Sequence, residues 1–283
     1  MIILDGKKSA RRILRRLKAK IKRRRLKLKM AVIQVGGNAV SDVYLTQKQK
    51  ACSSAGLCFE LFRFSGKISE EELAKEIKRL NADPAVSGIV VQLPLPKHIK
   101  TPAILNLIAL KKDADCLSEA ALGKFYNNNA LILPPVVSAV ASYFNEYKIK
   151  IKAKNAAIVG AGRLVGKPLA VWLVNQKATV SIVNEFTPDI SVFTKKADIL
   201  ISGVGKPNLI TGKMIKKGAI VIDAGSSAEH GRPAGDVNFK SVSKRASYLT
   251  PVPGGIGPLA VACLLENLVK LNLENVNQKR NTF

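Results

Sequence analysis

Three glycines punctuate the stretch Gly160-Ala161-Gly162-Arg163-Leu164-Val165-Gly166, which follows the apolar run Ala156-Ala157-Ile158-Val159 and precedes a helical pattern opening at Pro168. At a strand-to-helix turn, glycine lets the chain bend tightly and lets a pyrophosphate approach the backbone N–H groups at the start of the helix. The spacing alone is also met by close strand–helix packing, so it is the surroundings that decide. Strand-like runs at Thr179 to Val183, Ile199 to Ser202 and Ala219 to Asp223 follow it. That places the turn where a Rossmann unit puts its dinucleotide.

Other chemistry is excluded by spacing. Cys52, Cys58, Cys116 and Cys263 are scattered, with no CxxC pair and only His98 and His230 to join them, so a zinc site has no framework and no metal is expected. Four such thiols fit a reducing cytoplasm better than a disulfide scaffold.

The elements that must position these residues alternate. Leu28 to Val35 reads as a buried strand closed by Gly36-Gly37-Asn38, and Ser41 to Ala55 as a helix ending at Gly56. Phe59 to Phe64 and Gly88 to Leu93 read as strands around a helix at Ser69 to Asn81 with acidic residues in its first turn. Strand–helix alternation implies parallel strands, an α/β fold, and ligands outside the carboxyl ends of the strands. The 283 residues are enough for two domains. A boundary is expected near Pro134-Pro135 and Lys148 to Lys154, and Pro251-Val252-Pro253-Gly254-Gly255 leads back out.

With 47% hydrophobic and 23% charged residues, the proportions are globular and wholesale disorder is excluded. The apolar runs look too broken by proline to cross a bilayer, so a soluble protein without a membrane partner is expected. The net charge of +26 is concentrated: residues 1–30 carry fourteen Lys or Arg against the single Asp5. Ile13, Leu14, Leu17 and Ile21 fall at helical spacing between those charges, so this segment reads as an amphipathic helix with one face on a core. A cleaved transit peptide is a rival reading. Ile2-Ile3-Leu4, a strand-like run entering the helix through Asp5-Gly6, argues for structure instead.

From Ile3-Leu4-Asp5-Gly6-Lys7 to the final helix, the chain resembles the bifunctional methylenetetrahydrofolate dehydrogenase/methenyltetrahydrofolate cyclohydrolases. The resemblance is carried by Val35-Gly36 with Ser41-Asp42-Val43-Tyr44 and Lys48, by Val91-Gln92-Leu93-Pro94-Leu95-Pro96, and by Lys112-Asp113-Ala114-Asp115. In the second half it is carried by Val165-Gly166-Lys167-Pro168, Val204-Gly205-Lys206-Pro207, Gly235-Asp236-Val237 and Thr250-Pro251-Val252-Pro253-Gly254-Gly255-Ile256-Gly257-Pro258.

The resemblance implies an N-terminal α/β folate-binding and catalytic domain at 1–133, completed by a C-terminal helix at 259–283, and a Rossmann domain at 134–258. It implies hydride transfer from 5,10-methylenetetrahydrofolate to a nicotinamide, then hydrolysis of the methenyl cation to 10-formyltetrahydrofolate. Lys48 becomes the general acid/base, Tyr44 packs and hydrogen-bonds beside the folate, and Gln92 holds Lys48. Tyr44 and Lys48, four residues apart on a predicted helix, share a face. Asp115 becomes the carboxylate that holds the pterin, and Pro253, Gly254 and Gly255 line the folate site. Gly160, Ala161, Gly162, Arg163, Gly166, Glu185 and Ser226 are implied at the cofactor. A cytoplasmic homodimer is implied, and lysines near the cleft could steer polyglutamated folates.

The chain departs from the family pattern at Cys116, where glycine is usual, at Val136-Val137 in the linker, at Gly162 in place of serine, and at Leu259-Ala260. The Cys116 side chain is expected to crowd the pterin loop. The family habit is NADP. Asn184-Glu185 after the second Rossmann strand favours NAD instead, because a carboxylate repels a 2′-phosphate. Two competing readings are a diverged member with cyclohydrolase activity or folate binding alone, and a basic nucleic-acid-associated protein. Against the latter, Lys7 to Lys29 holds no aromatic residue to stack on bases.

Overall fold

The computed structural model describes residues 1–37, 39–229 and 232–280. Asn38 of the expected turn, His230 and the last three residues of the expected C-terminal helix lie outside the described residues. The chain forms two compact units: Met1–Ala10 with Val136–Ala260, and Arg11–Pro135 with the chain from Val261 onward.

The first unit is built on six parallel strands, in spatial order Ile2–Ile3, Tyr248–Leu249, Ile220–Asp223, Ile199–Ser202, Asn155–Val159 and Thr179–Val183. Short runs of β-branched residues suit strands covered on both faces. Ile199–Ser202 is wholly buried, and Ala157, Val159, Leu200 and Val221 share a core with Ile210, Val237 and Leu249. From Asn155–Val159 the chain goes first to one neighbour, Thr179–Val183, and then to the other, Ile199–Ser202. Gly160 therefore follows the strand at which the order reverses, the crevice where such sheets take ligands. Grouped by their contacts, the first residues of the chain divide from those that follow. Residues 1–10 go with the six-stranded unit, because Ile2 and Ile3 pair in parallel with Tyr248 and Leu249.

The second unit holds a three-stranded parallel sheet with Lys29–Val35 between Cys58–Phe64 and Gly88–Val91. Ala31, Ile33, Val35, Ile89 and Val91 pack with Leu73, Ile77 and Leu80 of the helix Glu70–Ala82. That helix starts at a capping box: the Glu72 N–H donates to Ser69 Oγ at 3.1 Å, and the Ser69 N–H donates to Glu72 Oε2 at 3.1 Å. The basic helix Gly6–Arg24 buries Ile13, Leu17 and Ile21 and leaves Arg15, Arg16, Lys18 and Arg23 exposed, as its periodicity demands.

The last helix corrects two expectations. It begins at Ile256, ahead of the expected start at 259, and Pro258 falls in the first turn, where its missing N–H costs nothing. Its stretch Ile256–Asn275 is also long and apolar enough, with a mean hydropathy of 1.4, to pass the length and composition test for a membrane span. Most of that stretch is buried, including Leu259, Ala262, Leu265 and Leu268, so its apolar character is used by the protein core.

Candidate active site

Lys48 lies on the helix Ala39–Ala55, and its Nζ donates to Gln92 Oε1 at 2.8 Å. Gln92 follows the strand Gly88–Val91, and its own N–H continues the sheet pattern by donating to Ile33 O at 2.8 Å. Gln92 Nε2 donates to Leu93 O at 3.1 Å, which fixes the amide with its oxygen toward the lysine. Burial lowers the Lys48 pKa, and the nearby Asp115 and Cys52 oppose that shift. Burial likewise raises the Asp115 pKa against the pull of Lys48, with Asp113 adding to the rise. Lys48, Gln92 and Asp115 thus form one cluster in the second unit. Tyr44 stands half-buried one helical turn before Lys48.

The segment that presents Asp115 is held from both sides. Lys112 Nζ donates to Leu80 O at 3.0 Å, Asn81 O at 2.9 Å and Asp83 O at 2.7 Å, so it caps the end of the helix Glu70–Ala82. The Asp113 carboxylate, 1% exposed, accepts from the N–H groups of Leu117 and Ser118 and from Ser118 Oγ at 2.7 Å. Asn267 Nδ2 donates to Ala114 O at 3.0 Å. Cys116, at the position where the resemblance calls for glycine, takes a left-handed φ of 57°. Its side chain is fully buried, and burial pushes its thiol pKa up to about 12.

Two further residues, Gln34 and Arg63, support the helix that carries Lys48. Gln34, 3% exposed, donates through Nε2 to Asp42 Oδ1 at 3.0 Å and accepts from Arg63 Nε at 3.2 Å. This ties the first turn of Ala39–Ala55 to the strands Lys29–Val35 and Cys58–Phe64. Its one local signal is a polar residue, Gln34, within the apolar run of its strand.

In the first unit, the glycine turn is tight. Gly160 has φ +103°, and a Cβ on Gly166 would lie 1.8 Å from Gly160 O, so the turn closes only with glycine there. The helix Gly166–Asn175 has no side-chain cap at Val165; its first turn is closed instead by Lys167 N donating to Gly162 O at 3.1 Å, and Pro168 there needs no N–H partner. A Cβ on Gly162 meets open space, so the serine usual in the family would fit there. Arg163 is exposed.

Val159 pairs with Val183, and Gly160 N donates to Val183 O at 2.8 Å, so Asn184 and Glu185 leave the sheet beside the glycine turn. Glu185 is exposed, held in a turn in which Phe186 N donates to Asn184 Oδ1 at 3.0 Å. Ser226 is exposed, with its carbonyl next to Gly205. In the Pro251–Gly255 loop, Gly254 has φ +110°, its carbonyl accepts from Lys7 N at 3.2 Å, and a Cβ on Gly6 would lie 1.7 Å from Gly255 O. Val137 and Leu259, two of the departures, are core residues. Among the described residues no cluster of His, Cys, Asp and Glu could hold a metal.

A parallel α/β unit with a glycine turn at its switch point, joined to a unit carrying a half-buried lysine–amide–carboxylate cluster, defines a nucleotide-dependent enzyme of the two-domain α/β class. The sequence comparisons narrow that class. Residues 4–115 match the catalytic domain, and residues 134–276 the NAD(P)-binding domain, of tetrahydrofolate dehydrogenase/cyclohydrolase. The protein named bifunctional protein FolD of Nautilia profundicola is 44% identical over 274 residues, 95% of this chain and 96% of its own. The crystal structure of the bifunctional FolD methylenetetrahydrofolate dehydrogenase/cyclohydrolase of Campylobacter jejuni superposes with a TM-score of 0.93 at 40% identity, covering 97% of this chain and 99% of its own. The Trypanosoma brucei enzyme, solved with NADP cofactor and an inhibitor, gives a TM-score of 0.93 at 35% identity over 98% of both chains. This chain belongs to the tetrahydrofolate dehydrogenase/cyclohydrolase family.

Proposed function

We propose that the protein oxidises 5,10-methylenetetrahydrofolate with NAD(P) and hydrolyses the resulting methenyl compound to 10-formyltetrahydrofolate. The observation that carries this reading is the Lys48–Gln92 hydrogen bond of 2.8 Å beside Asp115, in a chain whose two halves both match the family. When bound, a nicotinamide nucleotide would supply the hydride acceptor for this oxidation. The glycine turn, Arg163 and Ser226 hold that nucleotide in this reading.

In the second step, water adds to a cationic carbon and a proton must leave the water. Lys48 takes it, because a buried amine is more readily neutral than an exposed one. Gln92 engages one N–H of that amine and sets its direction. The proton then passes from Lys48 to the ring nitrogen released as the one-carbon bridge opens, and the O–H left on that carbon gives its proton to solvent as the formyl C=O forms. Asp115 accepts hydrogen bonds from the pterin amino and ring N–H groups, Tyr44 flanks the ring, and Pro253, Gly254 and Gly255 belong to the folate side.

NADP is the cofactor we assign, by family habit. One observation favours NAD as the second reading: Glu185 stands exposed at the carboxyl end of Thr179–Val183, where a carboxylate opposes a 2′-phosphate. The same reading makes the protein a cytoplasmic homodimer acting on folates that carry glutamate tails, which the surplus of lysines would attract. A coupled absorbance assay of methylenetetrahydrofolate with NADP and NAD in parallel tests the assignment. Reduction of neither nucleotide would leave only folate binding or hydrolysis.

A further inference from the structure

The reaction above gives no task to Asp236, although it is the most heavily engaged carboxylate of its unit. Asp236 is fully buried. Its Oδ2 accepts from Ser202 Oγ at 2.8 Å and from Val204 N at 2.7 Å, and its Oδ1 accepts from Gly205 N and Lys206 N, both at 2.9 Å. Three successive backbone N–H groups thus wrap one carboxylate. Its own N–H is held in turn by Asp223 Oδ1 at 3.1 Å.

The wrapped segment leads out of the carboxyl end of Ile199–Ser202, the strand next to the one that ends in the glycine turn. It lies directly on that turn. A Cβ on Gly160 would come 2.8 Å from Gly203 O, and a Cβ on Gly203 would come 2.4 Å from Val165 Cγ1. Neither Gly160 nor Gly203 could carry a side chain without moving the two loops apart. Gly205, at φ +83°, lets the segment curl back around the carboxylate.

We propose that Asp236 is the positioning residue of the dinucleotide site: its carboxylate folds residues 203–206 into the wall that stands against the glycine turn and shapes the pocket for the nicotinamide nucleotide. This rests on the reading of the glycine turn as the NAD(P) site. Asp236 touches no reacting atom. Its effect is to make the loop rigid before the nucleotide arrives, so that ordering the loop adds nothing to the cost of binding. Asparagine at this position offers one acceptor oxygen where two are used and turns an NH₂ toward backbone donors.

The test uses the full chain and two variants, Asp236→Asn and Gly205→Ala. The second places a side chain at a strained φ and displaces the same loop without touching a carboxylate. Nucleotide binding is measured by calorimetry with NADP and with NAD, alongside dehydrogenase kinetics, hydrolysis of the methenyl compound and amide exchange of residues 203–206.

Both variants are expected to weaken nucleotide binding about tenfold or more. KM for the nucleotide should rise, with kcat at saturation and hydrolysis of the methenyl compound close to wild type, and the 203–206 amides should exchange faster. Unchanged nucleotide affinity in Gly205→Ala overturns the proposal even if Asp236→Asn fails to fold. Parallel loss of binding and hydrolysis in both variants overturns it as well, since that marks a general structural role. A wild-type chain that turns nothing over yet binds nucleotide refutes the functional reading alone. One that binds neither nucleotide refutes both.

Discussion

Gln92 presents its side-chain oxygen to Lys48 at 2.8 Å while its amide nitrogen is committed to the Leu93 carbonyl at 3.1 Å. The amide is thereby locked in one of its two orientations, and the lysine faces an acceptor that carries no charge. A carboxylate there would hold the amine protonated. An amide orients it and leaves its proton free to move.

Replacing Lys48 with methionine keeps the bulk and removes the amine. Hydrolysis of the methenyl compound is expected to fall about 10²–10⁴-fold, the usual contribution of a general acid/base. A wild-type rate, followed by loss of the methenyl absorbance, would falsify the assignment.

The pH dependence of hydrolysis follows from the lowered Lys48 pKa. If the neutral amine is the working form, the rate climbs as pH rises through a pKa below that of ordinary lysine. Gln92→Glu puts a negative charge against the amine, raises its pKa and moves that limb to higher pH, so the rate at neutral pH drops. A limb that stays in place in Gln92→Glu shows that another group sets it.

Asp115→Ala should weaken folate binding much more than nucleotide binding, since a buried pterin amino group loses its charged acceptor. It also removes the carboxylate that opposes the downward shift of Lys48, so the rising limb should move to lower pH. Titration of each ligand and the pH profile of hydrolysis read the two effects separately.

Glu185→Ser should raise kcat/KM for NADP relative to NAD. Interactions of one partly desolvated charge are worth about 1 kcal/mol, and less where both groups stay solvated, so a change of several-fold is expected. An unchanged ratio places Glu185 away from the ribose.

The thiols give a check on the fold itself. Cys58 is exposed, while Cys52, Cys116 and Cys263 are buried with pKa values pushed up to about 12. A disulfide reagent should count one fast thiol per folded chain and the other three only in denaturant. Fast reaction at Cys116 would mean that the loop carrying Asp115 opens.

Much of this was legible in the sequence wherever the signal is local. Thr179–Val183 and Ile199–Ser202 have the bounds that their β-branched runs predict, and Ser69 with Glu72 announces the helix that follows. The lysine, the amide and the carboxylate were identified through the resemblance, and the structure brings them together. Contacts between distant segments were not legible. Nothing local in Asp236 or Asp223 distinguishes them from loop aspartates, because their partners are backbone N–H groups of other loops. Gln34 reads as an isolated polar residue until Asp42 and Arg63 are seen beside it. Cys116 reads as a substitution that crowds a loop. In the structure its thiol is buried, and the departure lies in the left-handed backbone it must adopt.

The pairing of Ile2 with Tyr248 and of Ile3 with Leu249 has a consequence for how the chain is made. On the ribosome, Ile2 and Ile3 emerge long before the strand they join. Until Tyr248 is synthesised they are an unpaired sheet edge, tethered to a highly cationic helix. The charge of a helix so rich in Lys and Arg disfavours pairing of that segment with other copies, as charged residues do at exposed strand edges. The edge strand of the six-stranded sheet is therefore placed only after a segment far along the chain, Tyr248–Leu249, has been made.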